Sequence, residues 1–205
     1  IKHLFSINPT YPAFCNSNIP SSLPEDNCWV SVEGGLCRFG KSDSTFHFDN
    51  ETPSHKRYLE NYKIASQLVS NGEFLDFIDD GGYENPLLWL SDGWSWVREN
   101  TIGHPLYWIK KDNSWLEFTL FGLSPLNLAN PICHINFYEA AAYAHWAGAR
   151  LPSEFEWEHA AASQPIPIEP IRFQATKHGE KNGLKDLHGS VWQWTNSAYS
   201  PYPKY

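Results

Sequence analysis

The strongest constraint on the fold of this chain is a pair of helix starts set almost end to end. In NFYEAAAYAHWAG, Asn136 stands three residues before Glu139, so that side chains and backbone can satisfy each other's free N–H groups. Phe137, Ala140, Ala141 and Ala144 then form an apolar stripe at helical spacing, which Gly148 ends. In SEFEWEHAAA, Ser153 and Glu156 repeat the same box. Only Ala-Arg-Leu-Pro separates the two segments, so they must turn sharply and cannot run on as one helix. A third box, Ser70 with Glu73, opens SNGEFLDFIDDGG, and Gly81 with Gly82 closes it. These short helices sit in a chain punctuated by 15 Pro and 13 Gly, which predicts an α+β, loop-rich fold with two to three helices and few short strands.

Residues 1–27 read as an arm. Pro9, Pro12, Pro20 and Pro24 lie among Asn and Ser and leave little room for regular structure. From Cys28, WVSVEGGLCRFG alternates apolar and polar residues up to Gly34-Gly35 and then resumes, which predicts a hairpin turning at the glycines. A turn cluster from Asp49 to Pro53 leads into a strand through Tyr58 and Leu59. Tyr83 to Pro131 is expected to be a long irregular connection, unusual unless it is functional or carries short strands of its own. Within it, LWLSDGWSW gathers Trp89, Trp94 and Trp96 around a predicted turn at Asp92-Gly93. After Ala162 a Pro-rich loop precedes VWQWT, which reads as a late strand. Residues 28–205 are thus expected to be one domain behind the arm.

The formal net charge of −8 and the absence of any basic run leave no footprint for non-specific nucleic-acid binding. No stretch of eighteen apolar residues and no signal peptide is present, so neither a membrane span nor secretion is expected, and the chain is assigned to the cytoplasm. The chain begins with Ile1 and contains no Met, so it is read as a piece of a longer product. Its four cysteines lack a C-x-x-C pair and are expected to be reduced, idle thiols. Cys37, next to Arg38, is the one with an electropositive neighbour that could activate it.

Few motifs carry chemistry. Nine histidines include no H-x-x-x-H or H-E-x-x-H pair, and His145 and His159 each stand alone on a predicted helix. There is no G-x-S-x-G elbow, no Walker loop and no G-x-G-x-x-G. Cys133 and His134 are neighbours in sequence, which does not make them a pair in space. Glu154, Glu156 and Glu158 read as one cap and two solvated charges. Two readings of Trp89, Asp92, Trp94 and Trp96 stay open: the rings are the core of a loop-rich fold, or they form aromatic platforms for a cationic or sugar ligand.

FDNETPSH, LVSNGEFLDFIDDGGY, LWLSDGW, PLYW and PICHINFYEAAAYAHWAGARLPSEFEWEHAAA, followed by HGSVWQWT, resemble one family along nearly the whole chain. It is the C-terminal domain of the ergothioneine sulfoxide synthases, within the formylglycine-generating-enzyme (sulfatase-modifying factor) superfamily. AGARLPSEFEWE carries the superfamily likeness, and LWLSDGW with FDNE carries the branch; KHLFSINPTYPAF is similar to the linker that follows that family's N-terminal helical bundle.

The resemblance implies a C-type-lectin-like fold of the formylglycine-generating-enzyme variant. It also implies a reaction in which Fe(II) and O₂ join a thiol, cysteine or γ-glutamylcysteine, to the imidazole of trimethylhistidine as a sulfoxide. The family's iron is held by histidines of the missing bundle, and its late substrate-holding residues and proton-delivering tyrosine would follow Tyr205. No catalytic residue is therefore placed on this chain, and Tyr199, Tyr202 and Tyr205 do not inherit that role. The chain is expected to supply scaffold and substrate-side surface, to meet the thiol and the histidine betaine only within the full-length protein, and to be inactive alone.

Relatives in the superfamily bind calcium at a stretch matching GLKDLHGSVWQW, which makes Asp186, Gly189, Val191 and Gln193 candidate calcium donors; Gln193 stands where a carboxylate would be. Ending just after VWQWT, the chain is expected to leave a strand edge beside Trp192 and Trp194 open to pairing. The alternatives are a non-catalytic lectin-like binding module, and a formylglycine-generating relative, which would need a late cysteine pair.

Overall fold

The structure is a computed structural model and describes residues 1–15, 26–42, 46–162, 164 and 180–203. In chain order these form α1 (Lys2–Ser6), β1 (Trp29–Val32), β2 (Gly35–Phe39), β3 (His55–Leu59), β4 (Tyr62–Ala65), α2 (Asn71–Asp79), α3 (Ser91–Asn100), β5 (Trp108–Lys111), β6 (Ser114–Thr119), β7 (Gly122–Pro125), α4 (Phe137–Trp146), α5 (Glu154–Ala161), β8 (Glu180–Lys181) and β9 (Leu184–Lys185). The fold is α+β with small antiparallel sheets, as the sequence predicts, but five helices form among the described residues against the two to three expected. No helix among them is long and apolar enough to cross a membrane. The described residues divide into two compact units, one built on residues within 1–26 and 68–149, the other on those within 27–67, 150–164 and 180–203.

In the first unit α2 and α4 start where the boxes place them. Glu73 N donates to Ser70 Oγ at 3.2 Å, and Glu139 N donates to Asn136 Oδ1 at 2.9 Å. The glutamate carboxylates return the bond to the cap N–H at 2.8 and 2.7 Å. The apolar faces of these helices bury Phe74, Phe77 and Ala142 with Tyr83, Trp89 and Val97. The expected turn at Asp92-Gly93 is instead the first turn of α3. No side chain caps that helix, and the glycine inside it is explained by packing: a Cβ on Gly93 would lie 2.6 Å from Tyr138 Cβ on α4. The stretch expected to be irregular also contains the sheet β5-β6-β7. Its first hairpin turns on Asp112 and Asn113, both with positive φ, the backbone that matches strand twist in a two-residue loop. In the arm, α1 is followed by Phe14 and Cys15, whose N–H groups donate to Leu120 O in the β6–β7 turn.

In the second unit, the glycine pair does not turn a hairpin. β1 pairs with β4 and β2 with β3, and the register is the same in both ladders: Trp29 faces Ala65, Val32 faces Tyr62, Gly35 faces Leu59 and Phe39 faces His55. Residues 29–39 and 55–65 are thus one long antiparallel pair, interrupted in the middle. At the interruption Gly34 lies against the Leu59 and Glu60 backbone too closely for any side chain, and its N–H donates to Asn61 Oδ1. The true reversal is residues 40–54. Beneath this pair, Phe39 packs edge-on against Phe155 of α5, with ring centroids 4.9 Å apart. Ala160, Ala161, Leu184 and Leu187 form a second cluster with Val30, Ile64 and Trp157. Val191–Thr195 is not a strand among the described residues. Gln193 turns inward to hold the loop, while Trp192 is fully exposed and Trp194 half-exposed.

Candidate functional site

The first unit brings the tryptophan segment onto a rigid base. Tyr83 OH donates to Glu139 Oε1 at 2.6 Å, and both side chains are buried. Burial pushes the Glu139 carboxyl up, while the bonds from Tyr83 and from the Asn136 backbone pull it back. Trp89, only 8% exposed, donates its indole N–H to Gly82 O at 2.8 Å, so its ring belongs to the core. Trp94 and Trp96 pack one side against that core and keep part of their surface open. The Arg98 guanidinium lies 5.8 Å from the Trp94 ring centre. Asp92 is exposed in the first turn of α3, where the helix dipole favours a carboxylate. Helical geometry therefore puts Asp92, Trp94 and Trp96 on one short helix, with Trp89 outside the accessible group.

A polar cluster not visible in the sequence lies elsewhere in this unit. Lys2 Nζ is 2.8 Å from His134 Nε2 and 4.4 Å from the Tyr107 ring centre, and the Tyr107 and His134 rings meet edge-on at 4.9 Å. Both Tyr107 and His134 have positive φ, 72° and 60°, an uncommon backbone for bulky residues. Partial burial of the ring, and then the Lys2 charge, hold His134 down to about 4, although the residue as a whole is exposed. An ammonium at Nε2 puts the proton of the neutral ring on Nδ1. Burial lowers Lys2 against the pull of Glu117, and burial raises Glu117 against the pull of Lys2. Burial also pushes Cys133 up to about 11, and its thiol donates to Pro131 O, so it is an inert thiol and no nucleophile. The adjacency of Cys133 and His134 was legible; their partners, from residues 2, 107 and 117, were not.

In the second unit the expectation for the alternating glutamates holds at Glu156 and fails at Glu158. Glu156 caps α5 and forms a bidentate pair with Arg150. Glu158, read as a solvated charge, accepts the Gly40 N–H at 2.9 Å and the Tyr202 hydroxyl at 3.0 Å. Tyr202 thereby becomes a packing residue, its ring 4.5 Å from that of His55. His145 has a long contact to Leu88 O, and His159 one to Tyr62 OH. Cys37 is half-buried and faces Arg57 across the ladder. All four cysteines are free.

The candidate calcium donors lie on one loop. Asp186 is buried with positive φ, and Gly189 also has positive φ. Gln193 Oε1 already accepts the Trp157 indole N–H at 2.8 Å, and Nε2 donates to Leu187 O at 3.1 Å. A donor set of one carboxylate, two carbonyls and an amide oxygen already in use is a poor match to a cation that takes six to eight oxygens. For iron, no group of three or more His, Cys, Asp or Glu among the described residues is placed to hold a metal.

Comparison with known proteins adds the wider context. The sulfatase-modifying factor enzyme 1-like domain matches residues 20–166. The chain is similar to a hercynine oxygenase of Mycolicibacterium smegmatis, 33% identical over 202 residues that cover 85% of this chain and 46% of the relative. A hercynine oxygenase of Mycobacterium tuberculosis is 32% identical over 187 residues, 79% of this chain and 44% of the relative. The mouse protein named inactive C-alpha-formylglycine-generating enzyme 2 is 28% identical over 223 residues, 86% of this chain and 71% of the relative. The chain thus spans less than half the length of the hercynine oxygenases it matches.

Proposed function

Because the chain belongs to the sulfatase-modifying factor enzyme 1-like domain family, we propose that it forms part of an iron- and O₂-dependent sulfoxide synthase acting on hercynine in ergothioneine biosynthesis. The observation that carries this is the 202-residue likeness to a hercynine oxygenase, which runs through 85% of the chain. On this reading the whole protein joins cysteine or γ-glutamylcysteine to the trimethylhistidine imidazole, in the cytoplasm, on a C-type-lectin-like scaffold. Free cysteines throughout are in keeping with that compartment.

The described residues do not fit an iron site, so Fe(II) is assigned to protein outside this chain, and no step is derived through it here. What these residues offer is recognition. The indole face of Trp96 suits a quaternary ammonium, and the Asp92 carboxylate, four residues earlier on α3, complements the same charge; Trp94 points to another side of the helix, beside Arg98. The Tyr83–Glu139 bond under α3 and α4 keeps those groups in place.

The test is reconstitution. The complete protein containing this chain, given Fe(II), should consume O₂ and form a sulfoxide from trimethylhistidine and one of the two thiols, while residues 1–205 alone should not. No product with either thiol overturns the reading. Likeness to a relative named inactive favours a second reading, a binding module without catalysis. That module would bind ligand, and the complete protein would show no iron-dependent O₂ uptake.

A further inference from the structure

Two aromatic side chains of the first unit give their dissociable protons to carboxylates. Tyr83 OH donates to Glu139 Oε1 at 2.6 Å, and both residues are buried. Trp146, half-buried, donates its indole N–H at 2.7 Å to Oδ2 of exposed Asp80. The indoles of Trp89 and Trp157 donate instead to neutral oxygens, Gly82 O and Gln193 Oε1. Of the three glutamates that close α-helix capping boxes among the described residues, only Glu139 is buried. The box does not require that charge. A glutamine would accept the Asn136 N–H on its oxygen and donate its amide to the Tyr83 oxygen, without a buried ion. What the carboxylate adds is the capacity to take the phenol proton and keep it.

Rings connect the two pairs. The Tyr83 ring centre lies 5.3 Å from that of Trp89 and 5.7 Å from that of Phe77. Phe77 in turn lies 5.8 Å from Trp146 and 6.0 Å from Tyr143, which is 5.6 Å from Trp146. A single phenyl ring thus separates the buried phenol from the half-buried indole, a gap an electron can tunnel across. Phenol and indole are the aromatic side chains that give up one electron most readily. A phenol does so only as its proton leaves, so a base already hydrogen-bonded to it lowers the barrier.

We propose that Tyr83 and Trp146 form a relay that passes single oxidising equivalents between the core of this unit and its surface. A one-electron oxidant of the oxygen-radical class takes an electron from Tyr83 and is itself reduced. The phenol proton passes to Glu139 and leaves a neutral phenoxyl radical. An electron from Trp146 then reduces that radical, Tyr83 recovers its proton from Glu139, and the indole proton passes to Asp80. A thiolate in solution returns one electron to the indolyl radical and leaves as a thiyl radical, while Asp80 returns the proton. No metal takes part in these steps, so the relay stands or falls separately from the proposed reaction.

The experiment is flash oxidation of the 205-residue chain at mildly alkaline pH, with tris(bipyridine)ruthenium as the photosensitiser and a cobalt(III) ammine as the electron acceptor. The photogenerated ruthenium(III) removes one electron at the protein surface, and samples frozen after increasing delays are read by electron paramagnetic resonance. A tyrosyl signal should form that outlives radicals on exposed phenols, which are lost by coupling in solution. Tyr83→Phe should abolish it. Trp146→Phe should lower its yield several-fold by closing the surface entry, and Glu139→Gln should do so by removing the proton acceptor. Tyr199→Phe, which removes an exposed phenol of the other unit, should leave it unchanged. No long-lived tyrosyl signal in the wild type, a signal that survives Tyr83→Phe, or full yield in Glu139→Gln would overturn the proposal. If Tyr83→Phe loses its near-ultraviolet circular dichroism, Trp146→Phe decides, because phenylalanine keeps a ring in place there; undiminished yield in that variant refutes the relay.

Discussion

Removing one oxygen atom should destabilise this protein in a pH-dependent way. Glu139 is 3% exposed, and its carboxylate has two partners, the Asn136 N–H and the Tyr83 hydroxyl. Tyr83→Phe deletes the second. A hydrogen bond to a charged group contributes about 1.5–3 kcal/mol, and here the carboxylate oxygen is left buried without a replacement. We expect a loss of about 2 kcal/mol at about pH 8, which for a chain of this size is a fall in Tm of roughly 4–8 °C. Burial already raises Glu139, and the Tyr83 bond opposes that rise, so the variant's carboxyl must titrate higher still. In the folded variant it takes up a proton at a pH where the wild-type group is still ionised. Protonation removes the unpaired charge, so the deficit should be full above the variant's folded pKa and should narrow as pH falls through it. Urea unfolding followed by tryptophan fluorescence at about pH 8 and about pH 5 measures both quantities. Equal stability of Tyr83→Phe and wild type at both pH values, within about 0.5 kcal/mol, would refute the reasoning, and a deficit that grows on acidification would show the linkage to be wrong.

Other outcomes follow from single contacts. Gly93→Ala should cost about 1–3 kcal/mol through its collision with Tyr138, seen as a lower urea midpoint, even though alanine favours helix. The Arg150 pair, with the cap bonds from Ser153, holds Glu156 down, to about 2, so its stabilisation is present above the ordinary carboxylate range and is lost as pH falls toward 2. Arg150→Gln should therefore flatten that acid limb in a pH series of melts. Lys2→Met should raise the His134 titration from about 4, yet leave it below an exposed histidine because burial, the larger cause, remains; an unmoved proton NMR titration would show that Lys2 does not act on the ring. A thiol reagent at neutral pH should label exposed Cys28 quickly and Cys133 slowly, read by mass spectrometry.

What could be read in the sequence was local. Each capping box is complete within four residues, so Ser70, Asn136 and Ser153 announced their helices without help from the fold. α3 was hidden because Leu90 offers no cap and Asp92-Gly93 imitates a turn; the reason for a glycine inside the helix is Tyr138, more than forty positions away in sequence. The alternation in WVSVEGGLCRFG gave strands correctly and partners wrongly, since a bend and a hairpin turn use the same glycines and differ only in where the pairing segment lies. The role of Glu158 was missed for the same reason: its hydrogen-bond partners come from residues 40 and 202. The cluster around Lys2 unites four distant segments, and nothing at any one of them marks it.

The unslipped register of residues 29–39 against 55–65 bears on where this protein can change in length. The reversal at 40–54 joins two strand ends that are already held by their ladder, so extra residues there only lengthen a loop, at a cost that grows slowly with size. One residue added at Glu33-Gly34 would act differently. Everything between the bend and the reversal would rotate to the opposite face, sending Phe39 into solvent and Arg38 toward Phe155. Insertions and deletions among related chains should accordingly gather between positions 40 and 54, and the bend should keep its length.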